Sequence, residues 1–363
     1  MRNHLTKHVY VIGNQKQLLP SNEFTGGCSD LLLALQKEGF VLSEDPSSEY
    51  LLALDHNQRQ YKEFRKRGGL ISKSVLVRLE PSSVLPFQYK SSILNKYGKV
   101  FSPGSIQKLQ SDQDALLQYP YRYSETPLMP RVSDKNYLEI FKENLENGDF
   151  KIANWKQRSI QIAMIASNKV GASFDNNYGK RREVAKIADA FQISIYGTKW
   201  NDPIRSRFKY RLGILKNSLL NHYIPNVFAL LPGLFTKFPQ VYGEVSDRSS
   251  ILRASKFSIV IENSNDAITE KMFDAMLFGS IPVFYGPDPA QFDIPSKTYL
   301  RIGNDLESSL EELDNMSLSE IEEMLDQICS FIASEHFANT RSSRSVYSLI
   351  ARRIHQFYFN QKS

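Results

Sequence analysis

The chain has few cysteines and no long apolar run, and acidic residues are not in surplus. Only Cys28 and Cys329 are cysteines among 363 residues, which is too few for a disulfide framework or a zinc knuckle and favours a reducing compartment. Proline or charge interrupts the apolar stretches before the ~18–20 residues that a membrane span needs. Residues 1–16 lack the apolar block and cleavage site of a signal peptide. We therefore expect a cytoplasmic protein with at most peripheral membrane contact.

The charge balance is basic. The chain carries 45 Lys and Arg against 39 Asp and Glu, a net charge of +6, and its pI is near 9.0. A basic soluble surface is the simplest explanation, and an anionic partner such as a phosphate or an anionic lipid is the more specific one. The basic residues are spread along the chain without a zinc-finger or RNA-recognition signature, so we do not expect nucleic acid as a partner.

Strand and helix patterns alternate along most of the chain, which is typical of α/β layers with parallel sheets. Strands are predicted at Val9–Ile12, Tyr50–Leu54, Ser74–Leu79, Lys99–Ser102, Ile160–Ala166, Ile193–Tyr196, Phe257–Ile261 and Ile281–Tyr285. Helices are predicted at Asp30–Glu38, 57–67, Asp134–Glu146, Lys180–Phe191 and Glu270–Phe278. The length suits two domains better than one. We therefore expect two Rossmann-like lobes facing a cleft.

Prolines and an Asn-Gly pair break this alternation between residues 122 and 158, where a domain boundary is predicted. We place a first lobe at 1–150, a second lobe at 151–330 and a closing helical tail at 331–363. In the tail, Val346, Ile350 and Ile354 share one helix face. A helix packed on the body is favoured over a membrane anchor. Residues 201–240 show no regular pattern and are expected to be irregular.

The most informative stretch follows a buried strand. It places Glu262, Asn263 and Ser264 at the carboxyl end of that strand, the edge where open α/β sheets bind ligands. The next helix is predicted to start with Thr269 as its N-cap and Glu270 and Lys271 in its first turn. A helix N-terminus favours anions and disfavours a cation, so a lysine there suggests a shared phosphate. The alternative is a capped core helix with a solvated lysine.

Two further segments could contribute to a site. Lys180, Arg181 and Arg182 cluster at the predicted start of a helix and would repel one another and the helix dipole unless an anion lies nearby. Glu80 follows a predicted strand and precedes Pro81. The alternatives are a solvated basic helix start and an ordinary carboxylate at a strand end.

No metal site is expected. Asp112-Gln113-Asp114 has the Asp-x-Asp spacing of some metal-dependent transferases, but it lies in a polar run that favours a solvated loop. The six histidines show no metal-ligand spacing.

Together these residues resemble the signature of the α-1,3/4-fucosyltransferase family, glycosyltransferase family 10. The resemblance is specific over about residues 242–306 and weaker before them. It rests on Glu262-Asn263-Ser264, Thr269-Glu270-Lys271, Gly279-Ser280-Ile281-Pro282-Val283, Gly286, Ile294-Pro295 and Thr298-Tyr299-Leu300. It implies a two-Rossmann fold of the GT-B type and a reaction that inverts the anomeric centre of GDP-fucose.

The resemblance also implies roles for individual residues. Lys271, with Lys180 or Arg182, would neutralise the donor diphosphate, and Arg181 stays an alternative to these two. Arg248 stands where the family has a lysine. Asn263 and Ser264 would orient the donor, Thr269 would belong to its site and Glu270 would bind its hydroxyls. Glu80 would be the general base. Ala267 replaces the tyrosine usual in the family, which leaves the donor sugar open.

We therefore expect an inverting fucosyltransferase that uses GDP-fucose, needs no cofactor or metal, and acts on a hydroxyl of a glycan or lipid-linked saccharide to form an α-1,3 or α-1,4 linkage. The alternatives are the same fold and mechanism with another nucleotide-sugar donor, and a non-catalytic protein that binds nucleotide-sugars or glycans.

Overall fold

The contacts within the chain divide it into two units. The computed structural model describes residues 7–13, 29–101, 137–171, 176–220, 224, 226–238, 240–265 and 268–359. The first unit comprises Met1–Met129 together with Asn339–Ser363, and the second comprises Pro130–Ala338.

The first unit contains a parallel five-stranded sheet. Its strands are β1 (Lys7–Gly13), β2 (Phe40–Ser43), β3 (Tyr50–Leu54), β4 (Ser74–Val77) and β5 (Lys99–Phe101). Their order in the sheet is β2-β1-β3-β4-β5, with every pair parallel. Every residue of β3 and β4 is buried, as the continuous apolar sequence of an internal parallel strand requires.

The second unit repeats this topology. Its strands are β6 (Ile160–Ile165), β7 (Ile193–Tyr196), β8 (Ser255–Ile261), β9 (Ile281–Tyr285) and β10 (Leu300–Arg301). Their order is β10-β9-β8-β6-β7, again parallel throughout. Numbered within each unit, both sheets have the order 2-1-3-4-5, in which the direction of winding reverses between the first and third strands. Ligands bind at that switch point, outside the carboxyl ends of the strands.

Helices flank both sheets. In the described residues they are α1 (Ser29–Lys37), α2 (Gln58–Lys66), α3 (Ser91–Leu94), α4 (Tyr137–Asn147), α5 (Ile152–Lys156), α6 (Tyr178–Ile187), α7 (Ile204–Leu220), α8 (Arg248–Ala254), α9 (Glu270–Leu277), α10 (Leu306–Asn315), α11 (Leu318–Ala333), α12 (Glu335–Arg341) and α13 (Ser343–Phe359). None of these helices combines the length and the apolar character that crossing a membrane requires.

The C-terminal helix α13 belongs to the first unit. Its buried face, which includes Val346, Ile350 and Ile354, packs with α1 and with β1, β3 and β4 in one hydrophobic core. Arg352 and Arg353 are exposed. The expected helix packed on the body is therefore present, and it completes one side of the first sheet.

The two units are divided differently from the predicted lobes. The division falls between Met129 and Pro130 rather than at residue 150, and between Ala338 and Asn339 rather than at 330. Helix α4 belongs to the second unit because the buried amide of Asn144 donates to the carbonyl of Leu277 at 2.8 Å. That contact joins positions far apart in sequence, so local composition could not reveal it.

Several elements depart from the sequence predictions. Residues 204–220 form helix α7, although the 201–240 region was expected to be irregular. Strands β2 and β10 were not predicted. Strand β4 ends at Val77, so Glu80 lies in the following turn rather than at the strand end. Strands β3, β7 and β9 have the predicted bounds, and the other predicted strands and helices are present with shifted ends.

Candidate functional site

The carboxyl edge of the second sheet is held together at its switch point by Arg181. This buried side chain donates from Nη2 to the carbonyl of Ile261 at 2.7 Å and, across the switch point, from Nη1 to the carbonyl of Ser167 at 3.4 Å. Nη2 also donates to Oδ1 of Asn263 at 2.8 Å. Burial lowers the pKa of Arg181. Because its guanidinium holds the ends of β6 and β8, Arg181 is a structural cation of the edge.

Beside it, Glu262 carries a network that includes two predicted site residues. The side chain of Glu262 is fully buried, and its Oε1 accepts from the backbone N of Thr269 at 2.7 Å. Its Oε2 accepts from Oγ1 of Thr269 at 2.8 Å and lies 3.6 Å from Nζ of Lys271. Nζ in turn donates to Oγ1 of Thr269 at 2.9 Å. Thus Glu262, a residue to which the sequence assigned no role, anchors Thr269 and Lys271.

The network corrects the predicted role of Thr269. The residue occupies the N-cap position of α9 in an extended conformation, but its side chain makes no capping hydrogen bond to the helix. Instead, the hydroxyl is directed to Glu262. The hydroxyl of Thr269 therefore serves the buried carboxylate rather than the start of α9.

Gly286 makes room for the buried carboxylate. A Cβ at this position would lie 3.1 Å from both Cβ and Cγ of Glu262 and 2.8 Å from the ring of Phe284. The backbone N of Glu262 also donates to the carbonyl of Tyr285 at 2.9 Å. The sequence signal that could have identified Glu262 is therefore a glutamate at a strand end, followed by Thr269 and Gly286, which fold around it.

The cations at the start of α6 have different surroundings. Lys180 Nζ lies 3.1 Å from Oε2 of Glu183 and 5.4 Å from the ring centroid of Tyr285, the last residue of β9, and its side chain is only 12% exposed. Arg182 instead donates to the carbonyl of Lys169 at 3.0 Å, and burial lowers its pKa to about 10. Of the candidate phosphate ligands, Lys180 is thus the one that lies against the end of β9.

The remaining predicted donor residues lie around the same edge. The carbonyl of Asn263 accepts from the backbone N of Asn177 at 2.9 Å, which fixes the loop before α6. Ser264 is buried. The guanidinium of Arg248, in the first turn of α8, is 3.9 Å from the carboxylate of Glu270. Ala267 lies outside the described residues.

In the first unit, Glu80 lies in a turn that Asp55 holds. Asp55 follows β3 with a φ of 61°, and its buried carboxylate accepts from the backbone N of Leu79 at 2.8 Å and of Glu80 at 3.3 Å. Nε2 of Gln88 donates to the same oxygen at 2.9 Å. Burial raises the pKa of Asp55. The carbonyl of Glu80 accepts from the hydroxyl of Tyr89 at 3.0 Å, so both backbone polar groups of Glu80 are held.

His56 adds a second buried polar group to this turn. Its Nδ1 lies 2.7 Å from the hydroxyl of Tyr97 and its Nε2 lies 3.0 Å from Oε1 of Gln58. Burial is the largest cause that lowers the pKa of His56 to about 4. Asp55 and His56 are not predicted as functional residues from the sequence, because an Asp-His pair after a strand is not specific to any kind of site.

Within the described residues, no group of three or more His, Cys, Asp or Glu side chains is arranged to hold a metal ion. Asp112 and Asp114 lie outside them.

The chain matches no protein-family model and no curated protein. Solved structures do match. An α1,3-fucosyltransferase aligns over 100% of this chain and 93% of its own, at 11% identity and a TM-score of 0.54. The structure of an α1,3-fucosyltransferase with GDP-fucose aligns over 98% of this chain and 91% of its own, at 11% identity and a TM-score of 0.53. Sucrose-phosphate synthase from Thermosynechococcus elongatus aligns over 98% and 100%, at 10% identity and a TM-score of 0.53. The expected GT-B glycosyltransferase fold is thereby confirmed.

Proposed function

We propose that the chain is an inverting glycosyltransferase that transfers fucose from GDP-fucose to a hydroxyl of a glycan acceptor. The observation that carries the proposal is the network of Glu262, Thr269 and Lys271 at the N-terminus of α9, on the edge where this fold binds ligands. The likeness of the fold to an α1,3-fucosyltransferase with GDP-fucose supports it.

In the proposed site, Lys271 binds the donor diphosphate. An ammonium group has three N–H donors, and the contacts with Thr269 and Glu262 leave one for a phosphate oxygen. The side chain of Lys271 is 24% exposed, whereas that of Glu262 is fully buried. Glu262 therefore orients the ammonium without reaching the ligand, and the N-terminus of α9 adds positive potential for the phosphates.

Lys180 is the second cation of the proposal. It lies against Tyr285, while Arg181 and Arg182 bond to backbone carbonyls that hold the surrounding loops. Glu270, beside Arg248, accepts from donor hydroxyls, and Asn263 orients the donor. Fixed positive charge of this kind stabilises a departing diphosphate without a metal or a cofactor.

Glu80 is the proposed general base. Its backbone is fixed by Asp55 and Tyr89, which limits the positions that its carboxylate can take. In the reaction, the acceptor oxygen attacks the anomeric carbon from the face opposite the diphosphate. The acceptor proton passes to Glu80, and the bond between the sugar and GDP breaks with its electron pair on the phosphate oxygen.

The donor assignment is tested with radiolabelled GDP-fucose, GDP-mannose, UDP-glucose and UDP-N-acetylglucosamine, by scoring hydrolysis and transfer. We expect turnover with GDP-fucose only. Turnover of another sugar would assign that donor, as Ala267 allows. Binding without turnover of any of them would indicate a non-catalytic binding protein.

Substitutions of Lys271 test its proposed contact with the donor diphosphate. Lys271→Met should weaken GDP binding by roughly 10- to 150-fold in calorimetry, the value of a charge-assisted hydrogen bond, and Lys271→Arg should retain part of it. Lys186→Met, on an exposed lysine of α6, is the matched control. Thermal unfolding is measured in parallel because Lys271→Met leaves the buried Glu262 without its cation. GDP affinity equal to wild type in a folded Lys271→Met protein would refute the donor site.

A further inference from the structure

Helix α7 in the second unit buries charged side chains and exposes apolar ones. Its buried face carries Arg207 and Arg211, and arginine is almost never fully buried unless it is paired. Their partners are the backbone carbonyls of Trp200, Asp202, Gly233, Leu234 and Thr236 for Arg207 and of Leu230 and Pro232 for Arg211. The arginines thus fasten the 230–236 segment onto the helix, and the apolar side chains of α7 are left for other contacts.

Those apolar side chains form a stripe on the exposed surface. Ile204, Phe208, Leu212 and Leu219 recur at intervals of four, four and seven residues, which places them along one side of a helix. Each is about half exposed, at 55%, 54%, 47% and 54%. A soluble helix normally turns such a stripe toward the core.

The segment that the arginines hold, together with the residues just before it, adds further exposed apolar groups. Val227, Phe228, Leu231 and Phe235 are 51%, 69%, 58% and 75% exposed. We call the apolar residues Ile204, Phe208, Leu212, Leu219, Val227, Phe228, Leu231 and Phe235 the α7 surface. A concentration of large exposed apolar side chains on this scale marks an interaction site.

Exposed cations lie beside the stripe. Successive residues of a helix are turned by roughly 100° about its axis. Arg205, Lys209 and Lys216 each come directly after a residue on the side of the stripe, so they lie about 100° from it. Acidic residues are absent from the sequence between Asp202 and Glu244, over the whole length of α7 and the 230–236 segment. The partner that this arrangement complements is apolar and negatively charged.

We propose that the α7 surface docks on a bilayer of anionic phospholipid. An interfacial helix lies in the plane of the membrane with its apolar side chains among the acyl chains and its cations at the headgroups. The stems of Lys209 and Lys216 are long enough to follow the apolar surface while their ammonium groups reach the phosphates. The buried arginines keep the helix and the 230–236 segment in one rigid surface. This proposal does not depend on the identity of the donor or on any catalytic residue.

Vesicle sedimentation tests the proposal with the full chain. We expect binding to vesicles that contain phosphatidylglycerol, weaker binding to pure phosphatidylcholine, and release by salt. The double substitution Phe208→Ser/Leu212→Ser should lower the partition coefficient about tenfold or more, because it removes two side chains that enter the apolar layer. Lys209→Gln/Lys216→Gln should lower it about 25-fold on anionic vesicles, at about fivefold for each cation.

Matched controls use exposed residues of the same unit away from this surface. Leu318→Ser removes a leucine that is 48% exposed, and Lys142→Gln removes an exposed lysine of α4; both should bind vesicles like wild type. Absence of binding to anionic vesicles, or equal binding of wild type and the double serine variant, would overturn the proposal. A dimer in sedimentation velocity that the serine substitutions abolish, without vesicle binding, would also overturn it and assign the surface to a second copy.

Discussion

At the scale of single residues, the proposed base Glu80 lies in a turn whose backbone is held by hydrogen bonds. The backbone N of Glu80 donates to Asp55, and its carbonyl accepts from Gln88 at 3.2 Å and from Tyr89 at 3.0 Å. A base contributes to rate only when it is held within hydrogen-bond reach of the proton that it takes. The packing of the first unit therefore favours Glu80 as a positioned group over an incidental carboxylate on a flexible loop.

Glu80→Gln keeps the size of the side chain and removes its ability to take a proton at neutral pH. We expect GDP binding close to wild type and sugar transfer reduced by roughly 10²–10⁴-fold, the contribution of a positioned base. The ascending limb of the wild-type pH–rate profile should disappear. Glu44→Gln, on an exposed glutamate of the same unit, is the control. Transfer within a few-fold of wild type in folded Glu80→Gln would exclude Glu80 as the base.

His56 makes the stability of the first unit depend on pH. Its folded pKa is about 4 because of burial, so the native state holds the neutral imidazole. The unfolded chain takes up a proton near pH 6.5. Below that pH the unfolded state therefore binds more protons than the native state, and stability falls as the pH drops from about 6.5 to 4.

We expect His56 to cost up to about 3 kcal/mol of unfolding free energy between pH 7 and pH 4. Urea titrations of wild type and His56→Gln at several pH values measure it, with the exposed His8→Gln as control. The free energy of unfolding should change less steeply with pH in His56→Gln than in wild type. Asp55 acts in the opposite sense because burial raises its pKa, and it is present in both proteins. Equal slopes would show that the imidazole titrates normally.

At the scale of elements, sequence patterns predicted internal strands that are buried on both faces and also the edge strand β7, whose buried residues alternate. Tyr50–Leu54, Ile193–Tyr196 and Ile281–Tyr285 are predicted with their observed bounds. Strand β10 is short and lies at a sheet edge, so it carries too few apolar positions for a period to show. Helix α7 was missed because arginines occupy its buried face and apolar residues its exposed one, which reverses the pattern on which helix prediction relies.

The residues of the candidate site that belong to a sequence motif could be predicted. The contacts that depend on tertiary packing could not. The Thr-Glu-Lys string locates the start of α9 and the position of Lys271. That Glu262 is buried and accepts both N–H and O–H of Thr269 depends on the space left by Gly286, a fact of tertiary packing. Likewise, Lys180, Arg181 and Arg182 are adjacent in sequence, so only the fold shows that Arg181 binds backbone carbonyls while Lys180 lies against Tyr285.

Gly286→Ala tests whether strand β9 supports the donor site through Glu262. The added methyl would lie 3.1 Å from Glu262 and 2.8 Å from the ring of Phe284, so one of them must move. We expect a stability loss of about 1–3 kcal/mol, typical of overpacking, and a weaker affinity for GDP in calorimetry. Gly303→Ala, where the nearest atom is 3.4 Å away, is the control. Unchanged GDP affinity in the folded Gly286→Ala protein would separate Glu262 from donor binding.

At the scale of the whole molecule, the two units share one topology but carry different chemistry at their switch points. In the first sheet the polar groups after β3 and β4 are Asp55, the neutral His56, the buried Arg78 and Glu80. In the second sheet, the buried carboxylate of Glu262 lies 3.6 Å from Nζ of Lys271, and Arg181 and Lys180 lie at the same edge. The second edge therefore combines two lysines with a helix N-terminus, which suits a diphosphate. At the first edge Arg78 is buried beside the ring of Tyr89, and Glu80 is the carboxylate proposed as the base. This division of roles leads to a prediction about where a nucleotide stabilises the protein.

GDP should slow backbone hydrogen exchange in the second unit alone. Residues 262–265 and 268–277 and the start of α6 should exchange up to about 100-fold more slowly at a GDP concentration 100 times Kd, because binding adds about 2.7 kcal/mol to the cost of opening the site. Residues 78–90 around Glu80 should exchange as in the free protein, since that turn is held by Asp55 and its partners and not by the nucleotide. Mass spectrometry after pepsin digestion measures both regions in one sample, and Lys271→Met serves as the control in which protection is lost. Protection confined to the Glu80 turn would place the nucleotide on the first unit and reverse the roles of the two edges.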